Sequence, residues 1–191
     1  MYNFFAYLNR MKHIERWSLM HSIKKENIME HSQAVSVLAH CLAIVENEIF
    51  SGCVDEYKTL CYAVYHEVSE VITGDLPTPI KYFNADIKTA YKELESYANK
   101  KLIKNLPEKL EKRYKEFVFS DETRIEYKLT KAADKLAAYI KCIEEIKGGN
   151  SEFKKAKQTL EKDIKAMDIN SVKYFMENFI KGFELSLDEL E

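Results

Sequence analysis

The chain contains few residues that interrupt helices and few that could form disulfides. Its 191 residues include only 5 glycines, 3 prolines and 4 cysteines. Few breakers, together with abundant Lys, Glu, Leu and Ala, favour helix, and no run of alternating polarity competes with that assignment. No two cysteines form a CxxC pair, so a disulfide framework is not indicated and the thiols point to a reducing compartment. We therefore predict an all-α protein.

The sequence also lacks the signals of targeting and of polymer binding. Its first residues carry no charged segment and no small-residue cleavage site, so no signal peptide is expected. No apolar stretch approaches the ~20 residues that cross a bilayer, so we expect no membrane partner and a cytoplasmic location. The formal net charge is -2 and no long basic run occurs, which argues against a nucleic-acid polymer as partner.

Hydrophobic residues make up 46% of the chain, which is enough for one buried core at this length. We therefore predict a compact, single-domain helical bundle over residues 1–191. Gly74 ends one helix, and Pro77 and Pro79 are expected to prevent it from resuming; Ser120 caps a later one. One predicted helix begins near Met29. The others cover 2–12, 55–73, 86–105, 108–118, 121–147, 151–166 and 170–185.

The segment from His66 to Glu70 carries the clearest chemical signal. On a continuous helix His66 and Glu70 lie one turn apart on one face, and Glu67 lies about 100° round from His66. A solvated helix surface is the plain alternative. However, the run from Leu60 to Ile72 is otherwise apolar, and polar groups buried there without partners are costly. The segment therefore predicts a metal or proton-transfer site.

His31 and Asp134 are the further candidates, each on a separate predicted helix. The structural alternatives are a capping-region or core histidine for His31, and an ion pair with Lys131 or Lys135 for Asp134. Small alanines beside Asp134 permit close helix packing. Mixed nitrogen and oxygen ligands suit divalent Mn, Co, Fe or Zn. Such an ion polarises a phosphate oxygen and lowers the pKa of a bound water.

The run from Thr73 to Pro79, Thr-Gly-Asp-Leu-Pro-Thr-Pro, is the most distinctive segment. With the others it resembles the HD-domain superfamily, whose metal ligands run His, His-Asp, Asp on successive helices. More narrowly, the chain is similar to the YfbR-like bacterial 5′-deoxynucleotidases. The other matching segments are Phe4-Phe5-Ala6 with Arg10, Arg16-Trp17, Glu26-Asn27, Glu30-His31-Ser32, His66 to Glu70, Lys81-Tyr82-Phe83, Ala133-Asp134, Tyr139 to Cys142, and Ser186 to Glu189.

The resemblance implies a bundle of the HD-domain type that removes the 5′-phosphate from (deoxy)ribonucleoside 5′-monophosphates and forms a homodimer. It implies one divalent ion (Co, Mn or another transition metal) and Glu70 as the acid-base residue. In the family the tryptophan is associated with selecting deoxyribose by crowding the 2′ position. The implied metal ligands are His31, His66, Glu67 and Asp134. The implied substrate contacts are Arg16, Trp17, His31, Asp75, Leu76, Pro77 and Thr78.

One departure keeps a second function open. The family has Asp where this chain has Glu67, and the extra methylene moves the carboxylate outward. The alternative is therefore an HD-type helical module that binds a nucleotide or metal without turnover.

Two further classes of protein share single features with this chain. His66-Glu67 begins the HExxH motif of zinc peptidases, but position 70 is Glu rather than His, so that motif lacks its second zinc ligand. A purely structural bundle predicts no bound metal. In that case Trp17 is a core aromatic and the 73–79 segment only a helix stop.

Overall fold

The computed structural model describes residues 1–190 and confirms the predicted all-α class. No strand occurs in that part of the chain beyond one isolated bridge between Glu15 and Asn27. The α-helices are α1 (Phe4–Leu8), α2 (Ile28–Phe50), α3 (Glu56–Tyr65), α4 (Glu70–Thr73), α5 (Thr78–Lys81), α6 (Ala85–Ile103), α7 (Glu108–Val118), α8 (Ile125–Lys147), α9 (Lys154–Ala166) and α10 (Asn170–Asn178). Four 3₁₀ helices cover Asn9–His13, Ser151–Phe153, Ile180–Glu184 and Leu187–Glu189.

Two 23-residue helices, α2 and α8, pack against each other at the centre of the bundle. Their contact is lined by small residues that are almost completely buried, so the two backbones approach closely. Helices α3, α9 and α10 pack around this pair. The small residues of the shared core are Ala39, Ala43, Ala63, Ala132, Ala133 and Ala137.

A capping box fixes where α2 begins. The Asn27 side chain accepts hydrogen bonds from the backbone amides of Met29 and Glu30 at 3.0 Å, and Glu30 reaches back to the Asn27 amide. The prediction that this helix begins near Met29 is confirmed to within one residue. Because the start is fixed, His31 falls in the first turn, where its side chain is fully buried.

The predicted continuous helix over 55–73 is wrong. Helix α3 ends at Tyr65, the chain turns through 66–69, and α4 begins at Glu70. The amide of Glu70 donates to the carbonyl of Glu67 at 3.0 Å, and the amide of Ile72 donates to Ser69, also at 3.0 Å. These are three-residue spacings, which tighten the helix locally. His66 and Glu70 therefore do not share a face of one regular α-helix.

Several other boundaries also differ from the predictions; the segment predicted over 170–185, for example, is α10 up to Asn178 and then the 3₁₀ helix Ile180–Glu184. Residues 121–124 form a turn in which the Asp121 side chain binds the amide and hydroxyl of Thr123, so α8 begins at Ile125 without a cap from Ser120. The chain resumes a helical turn at Thr78–Lys81 despite its prolines, because Pro79 lies in a first turn whose amides need no partner. Helix 2–12 is a short α-helix followed by a 3₁₀ helix.

Helix α2 is long and apolar enough, by length and composition alone, to cross a bilayer, contrary to the sequence expectation. No other helix among residues 1–190 passes that test. Of its most apolar window, 56% is buried inside the protein. The buried face includes Val35, Leu38 and Leu42 of the central core, so the apolar character is that of a core helix.

Leu42→Ala tests this account of the core. Leu42 is fully buried on α2, so we expect the free energy of unfolding to fall by about 2–5 kcal/mol in urea denaturation. Val37→Ala on the same helix is the matched control. Val37 is 60% exposed, and its loss is expected to change stability by less than about 0.5 kcal/mol. Equal effects of the two substitutions would contradict the assignment of the buried face.

Candidate metal centre and active site

The structure brings together all four side chains that the resemblance implied as metal ligands. His31 comes from α2, His66 and Glu67 from the turn after α3, and Asp134 from α8. Each offers one ligand atom, and these four atoms lie within 4.8 Å of one another. Side chains from three distant stretches of the sequence thus converge at the junction of three elements. The pairwise distances are 3.0 Å (His31 Nε2 to Asp134 Oδ1), 3.6 Å (His31 Nε2 to Glu67 Oε1) and 3.7 Å (His66 Nε2 to Glu67 Oε1).

His66 has the protonation pattern of a metal ligand. Its Nδ1 lies 2.7 Å from the carbonyl oxygen of Ala63, which only accepts, so Nδ1 carries the proton and donates. Nε2 is then left with its lone pair, and it is buried with no hydrogen-bond partner among the described residues. Burial lowers the pKa of His66 to about 4, so the ring is neutral at physiological pH.

Glu67 extends between both histidines and Arg16. Its Oε1 lies 3.8 Å from Arg16 Nε, while its Oε2 is buried and without a partner in residues 1–190. Burial raises the pKa of the Glu67 carboxyl, although the neighbouring His31 and Arg16 oppose that shift. The longer side chain of Glu, compared with Asp, thus still places its carboxylate within the cluster.

Arg16 and Asp134 bind opposite sides of the His31 ring. Arg16 Nη1 lies 2.9 Å from Nδ1, and because a guanidinium only donates, Nδ1 accepts. Nε2 then donates to Asp134. Burial alone would raise the pKa of Asp134, but Lys131, 3.6 Å away, and the His31 hydrogen bond hold it well below its usual value. Of the two lysines considered for Asp134, Lys135 instead pairs with Asp163 at 2.7 Å.

The cluster fits a divalent cation. Two ligands of one ion at about 2.0–2.2 Å lie at most about 4.4 Å apart, so the observed span matches one coordination sphere to within a few tenths of an ångström. His66 Nε2 and Glu67 Oε2 are buried without a hydrogen-bond partner among residues 1–190, and leaving such a group unsatisfied costs about 1–3 kcal/mol. Coordination by His31 Nε2 requires its proton to leave and Nδ1 to become the donor. The Glu26 carboxylate oxygen Oε1 lies 3.9 Å from Nδ1, which is too far for a hydrogen bond in this arrangement.

Glu70 lies beside this cluster, almost fully buried, and its Oε2 has no partner among the described residues. Burial, together with the charges of Glu67 and Asp75, raises the pKa of Glu70 to about 9. Lys81 opposes this shift and itself pairs with Glu95 at 2.8 Å. Without a cation, Glu70 therefore carries a proton at neutral pH.

The loop predicted to contact the substrate begins at Asp75. Asp75 is partly buried; burial raises the pKa of its carboxyl, and the charges of Arg16 and Lys81 oppose that shift, which places it in the same electrostatic environment as the cluster. The residues that follow are joined to α5 by backbone hydrogen bonds. Pro77 accepts from the amides of Ile80 and Lys81, and Thr78 accepts from Tyr82. Gly74 precedes them with φ +73°, a conformation that suits glycine.

Trp17 follows Arg16 with a positive φ of 60°, which is unfavourable for a bulky residue. Its indole nitrogen donates to Glu26 Oε2 at 3.1 Å, and the same oxygen accepts from Arg16 Nη1 at 2.8 Å. Its ring packs against Phe153, with the centroids 5.2 Å apart. Backbone strain of about 1–3 kcal/mol is commonly held at functional sites by surrounding contacts.

Glu26 is the residue whose role sequence reasoning missed, because the sequence shows it only as part of a matching segment. The amide of Arg16 donates to the carbonyl of Glu26 at 2.9 Å, next to the bridge between Glu15 and Asn27. That backbone pairing places residues ten positions apart side by side, and no periodicity in the sequence signals it.

Solved structures identify the class of fold. An HD-domain phosphohydrolase from Listeria innocua superposes with a TM-score of 0.83 at 24% identity, covering 95% of this chain and 88% of that one. The cyanophage S-2L HD phosphohydrolase DatZ, bound to dA and one catalytic Zn²⁺ ion, superposes with a TM-score of 0.65 at 18% identity, covering 93% and 96%. The bundle is therefore an HD-domain phosphohydrolase fold.

Sequence relatives are more specific. The chain is 48% identical over 191 residues to the 5′-deoxynucleotidase YfbR of Photorhabdus temperata, covering 100% of this chain and 97% of that protein. It is 46% identical over 192 residues to 5′-deoxynucleotidase YfbR of Shigella flexneri serotype 5b, covering 98% and 95%. The sequence model of the 5′-deoxynucleotidase YfbR-like family matches residues 3–183. The chain belongs to this family, which confirms the resemblance seen in the sequence.

His66→Ala tests the ligand assignment. The substitution removes a buried, unpartnered Nε2, so we expect bound Mn²⁺ or Co²⁺ to fall to near zero per chain after dialysis, as measured by elemental analysis. His40→Ala is the control, because His40 lies on α2 nine residues after His31 and outside the cluster. Unchanged metal content in the His66 variant would refute the assignment.

Proposed function

We propose that this chain is a divalent-metal-dependent phosphohydrolase that removes the 5′-phosphate from deoxyribonucleoside 5′-monophosphates. Membership of the 5′-deoxynucleotidase YfbR-like family supports the reaction. The observation that carries it is the convergence of His31, His66, Glu67 and Asp134 within 4.8 Å, with His66 Nε2 and Glu67 Oε2 buried and without a hydrogen-bond partner in the described part of the chain. We assign these four as the metal ligands and Glu70 as the catalytic acid-base residue.

When bound, a cation such as Co²⁺, Mn²⁺ or another transition metal supplies Lewis-acid chemistry, because it polarises a phosphate oxygen and lowers the pKa of water. The protein residues supply the remaining functions. His31 and Asp134 are held by the core helices α2 and α8, which gives the site a rigid base. Glu67 adds a carboxylate that partly neutralises the ion.

Arg16 is assigned to the phosphate. Its guanidinium is the cationic group that touches both His31 and Glu67, and a fork of donors suits the oxygens of a phosphate monoester. Glu26 holds this fork through Nη1 and leaves the other guanidinium nitrogens for a ligand. Arg16 Nε is buried and without a hydrogen-bond partner in the described residues, which is consistent with a missing acceptor.

Glu70 is assigned to proton transfer. A buried carboxyl whose pKa is raised to about 9 holds a proton that it can deliver to the leaving 5′-oxygen. A cation near Glu67 offsets one of the negative charges that raise this pKa, which brings Glu70 closer to the range in which it can also accept a proton from the attacking water.

The nucleoside part of the substrate is assigned to Trp17, His31 and the loop Asp75, Leu76, Pro77 and Thr78. The strained, anchored indole of Trp17 is suited to crowd a sugar and so to favour deoxyribose. The proline-containing loop begins directly after α4, which places Asp75 five residues from the assigned acid.

Phosphate release from dAMP tests the proposed function. With added Co²⁺ or Mn²⁺, the wild-type protein is expected to release inorganic phosphate, and a panel that includes AMP measures the preference for deoxyribose. The matched negative control is His66→Ala. Binding of dAMP without release would instead support the alternative, an HD-type module without turnover, for which Glu67 is the structural reason.

Glu70→Ala separates metal binding from chemistry. Because Glu70 is not among the four clustered ligands, metal content is expected to stay unchanged, whereas kcat falls by about 10²-fold or more. Stopped phosphate assays and elemental analysis of the same preparation measure the two quantities. Full activity in this variant would remove Glu70 from the mechanism.

Two finer features of the resemblance are also part of this proposal. The protein is expected to be a homodimer, which analytical ultracentrifugation measures directly. It is also expected to act in the cytoplasm. The four cysteines, Cys41, Cys53, Cys61 and Cys142, are free thiols in the structure, which is compatible with a reducing compartment.

A further inference from the structure

The segment from Arg16 to Glu26 has no helix of its own, and Arg16 and Trp17 lie at its start. Its two ends are closed by backbone hydrogen bonds, from Arg16 to Glu26 at 2.9 Å and from Ile28 to Ile14 at 3.0 Å. These bonds fix the base of the loop. They do not hold residues 18–25, which leave the base and lie over the C-terminal half of α8.

A buried ion pair on α8 holds the tip of this loop. Lys141 and Glu145 are 4% and 2% exposed, and Lys141 Nζ lies 2.6 Å from Glu145 Oε1. Glu145 accepts hydrogen bonds from the amides of Ile23 at 2.8 Å and Lys24 at 3.1 Å. Lys141 in turn donates to the carbonyl of Lys24.

Asn150, just beyond α8, adds a third anchor. Its side-chain amide donates to Glu145 Oε2 at 2.8 Å and to the carbonyl of His21 at 2.7 Å. Three residues later, the fully buried ring of Phe153 packs against the indole of Trp17. The end of α8 and the residues that follow it therefore contact the loop at its tip and also contact the indole directly.

The Lys141–Glu145 pair does more than fill the core. Apolar residues in place of a buried ion pair often give the same stability, so core stability alone does not account for this pair. The charges here satisfy backbone amides and a carbonyl that no regular structure satisfies. The hydrogen bonds from Lys141, Ile23 and Asn150 outweigh burial and lower the pKa of Glu145 to about 2, so the carboxylate remains charged.

We propose that Glu145 and Lys141 are positioning residues that set the place of Arg16 and Trp17 in the substrate site. The inference rests on the proposed function, since it concerns how that substrate is gripped. Neither residue touches the metal cluster. They act through the loop tip at Ile23 and Lys24, from which the chain runs back to Glu26 and its side-chain contacts with Arg16 and Trp17.

Tryptophan fluorescence tests the positioning without any assay of turnover, because Trp17 is the single tryptophan of the chain. In Glu145→Gln the ion pair is lost and only one side-chain acceptor oxygen remains. We expect the emission maximum to shift to longer wavelength and acrylamide quenching to increase, since the indole loses its fixed contact with Phe153.

The control is Glu126→Gln on the same helix. Glu126 is also 2% exposed and also accepts from a backbone amide, that of Asp55 at 3.3 Å, and from Arg124 at 2.9 Å. It holds the start of α3 instead of the loop. Its substitution is expected to lower stability while leaving the fluorescence of Trp17 unchanged.

Steady-state kinetics with dAMP give the second measurement. We expect KM in Glu145→Gln to rise by about tenfold or more, with a smaller fall in kcat, because small displacements of binding groups have large effects on substrate affinity. The preference of Glu145→Gln for dAMP over AMP is expected to be smaller than that of the wild type. Its metal content is expected to stay at the wild-type level. A merely structural role predicts lower stability with KM and sugar preference unchanged.

Asn150→Asp is a second variant that tests the same proposal if Glu145→Gln does not fold. It keeps the oxygen that accepts from the Glu152 amide but loses the donors to His21 and Glu145. The proposal is overturned if Glu145→Gln or Asn150→Asp folds and retains the wild-type fluorescence and KM. It is also overturned if Glu126→Gln changes the Trp17 fluorescence and KM by as much as Glu145→Gln does. An inactive wild-type protein would refute the proposed function, while the fluorescence of the variants would still decide the positioning.

Discussion

The site depends on the crowding of negative charge in a largely buried place. Glu67, Glu70 and Asp134 lie close together, and burial of several carboxylates is unfavourable unless they are protonated, hydrogen-bonded or neutralised by cations. Each of these means is present. Glu70 keeps a proton, Asp134 receives a hydrogen bond from His31, and Arg16 lies beside Glu67. The remaining unsatisfied atoms on His66 and Glu67 point to a further positive charge, which a divalent ion supplies.

The interruption of the helix after Tyr65 gives these carboxylates their arrangement. In a 3₁₀ turn, residues three apart are eclipsed, whereas in an α-helix they are offset by about 60°. The hydrogen bond from the Glu70 amide to the Glu67 carbonyl has this three-residue spacing. The tight turn therefore places the carboxyl groups of Glu67 and Glu70 on the same side of the chain, and the charge of Glu67 contributes to the raised pKa of Glu70.

The sequence predicted the helical class, most helix positions and the four clustered residues, because hydrophobic periodicity and the matched motifs determine them. It failed at the 66–69 turn, since the run from Leu60 to Ile72 reads as one continuous apolar helix, and nothing in it shows that the His66 imidazole binds the Ala63 carbonyl. Glu26 and Glu145 were missed for a related reason. Their partners lie in irregular backbone far away in sequence, and such pairings leave no periodic pattern.

The four clustered side chains come from elements of unequal stability. His31 and Asp134 belong to the two central helices, where the surrounding residues are fully buried, whereas His66 and Glu67 occupy a single tight turn. We expect local opening of that turn to displace two of the four clustered side chains and to leave the apolar core intact. The core cluster that packs α2 against α8 contains none of the four side chains, so we expect the bundle to fold without an ion, unlike a zinc finger. An ion held at this cluster is therefore expected to exchange with the surrounding pool of ions after folding, rather than being fixed when the chain is made.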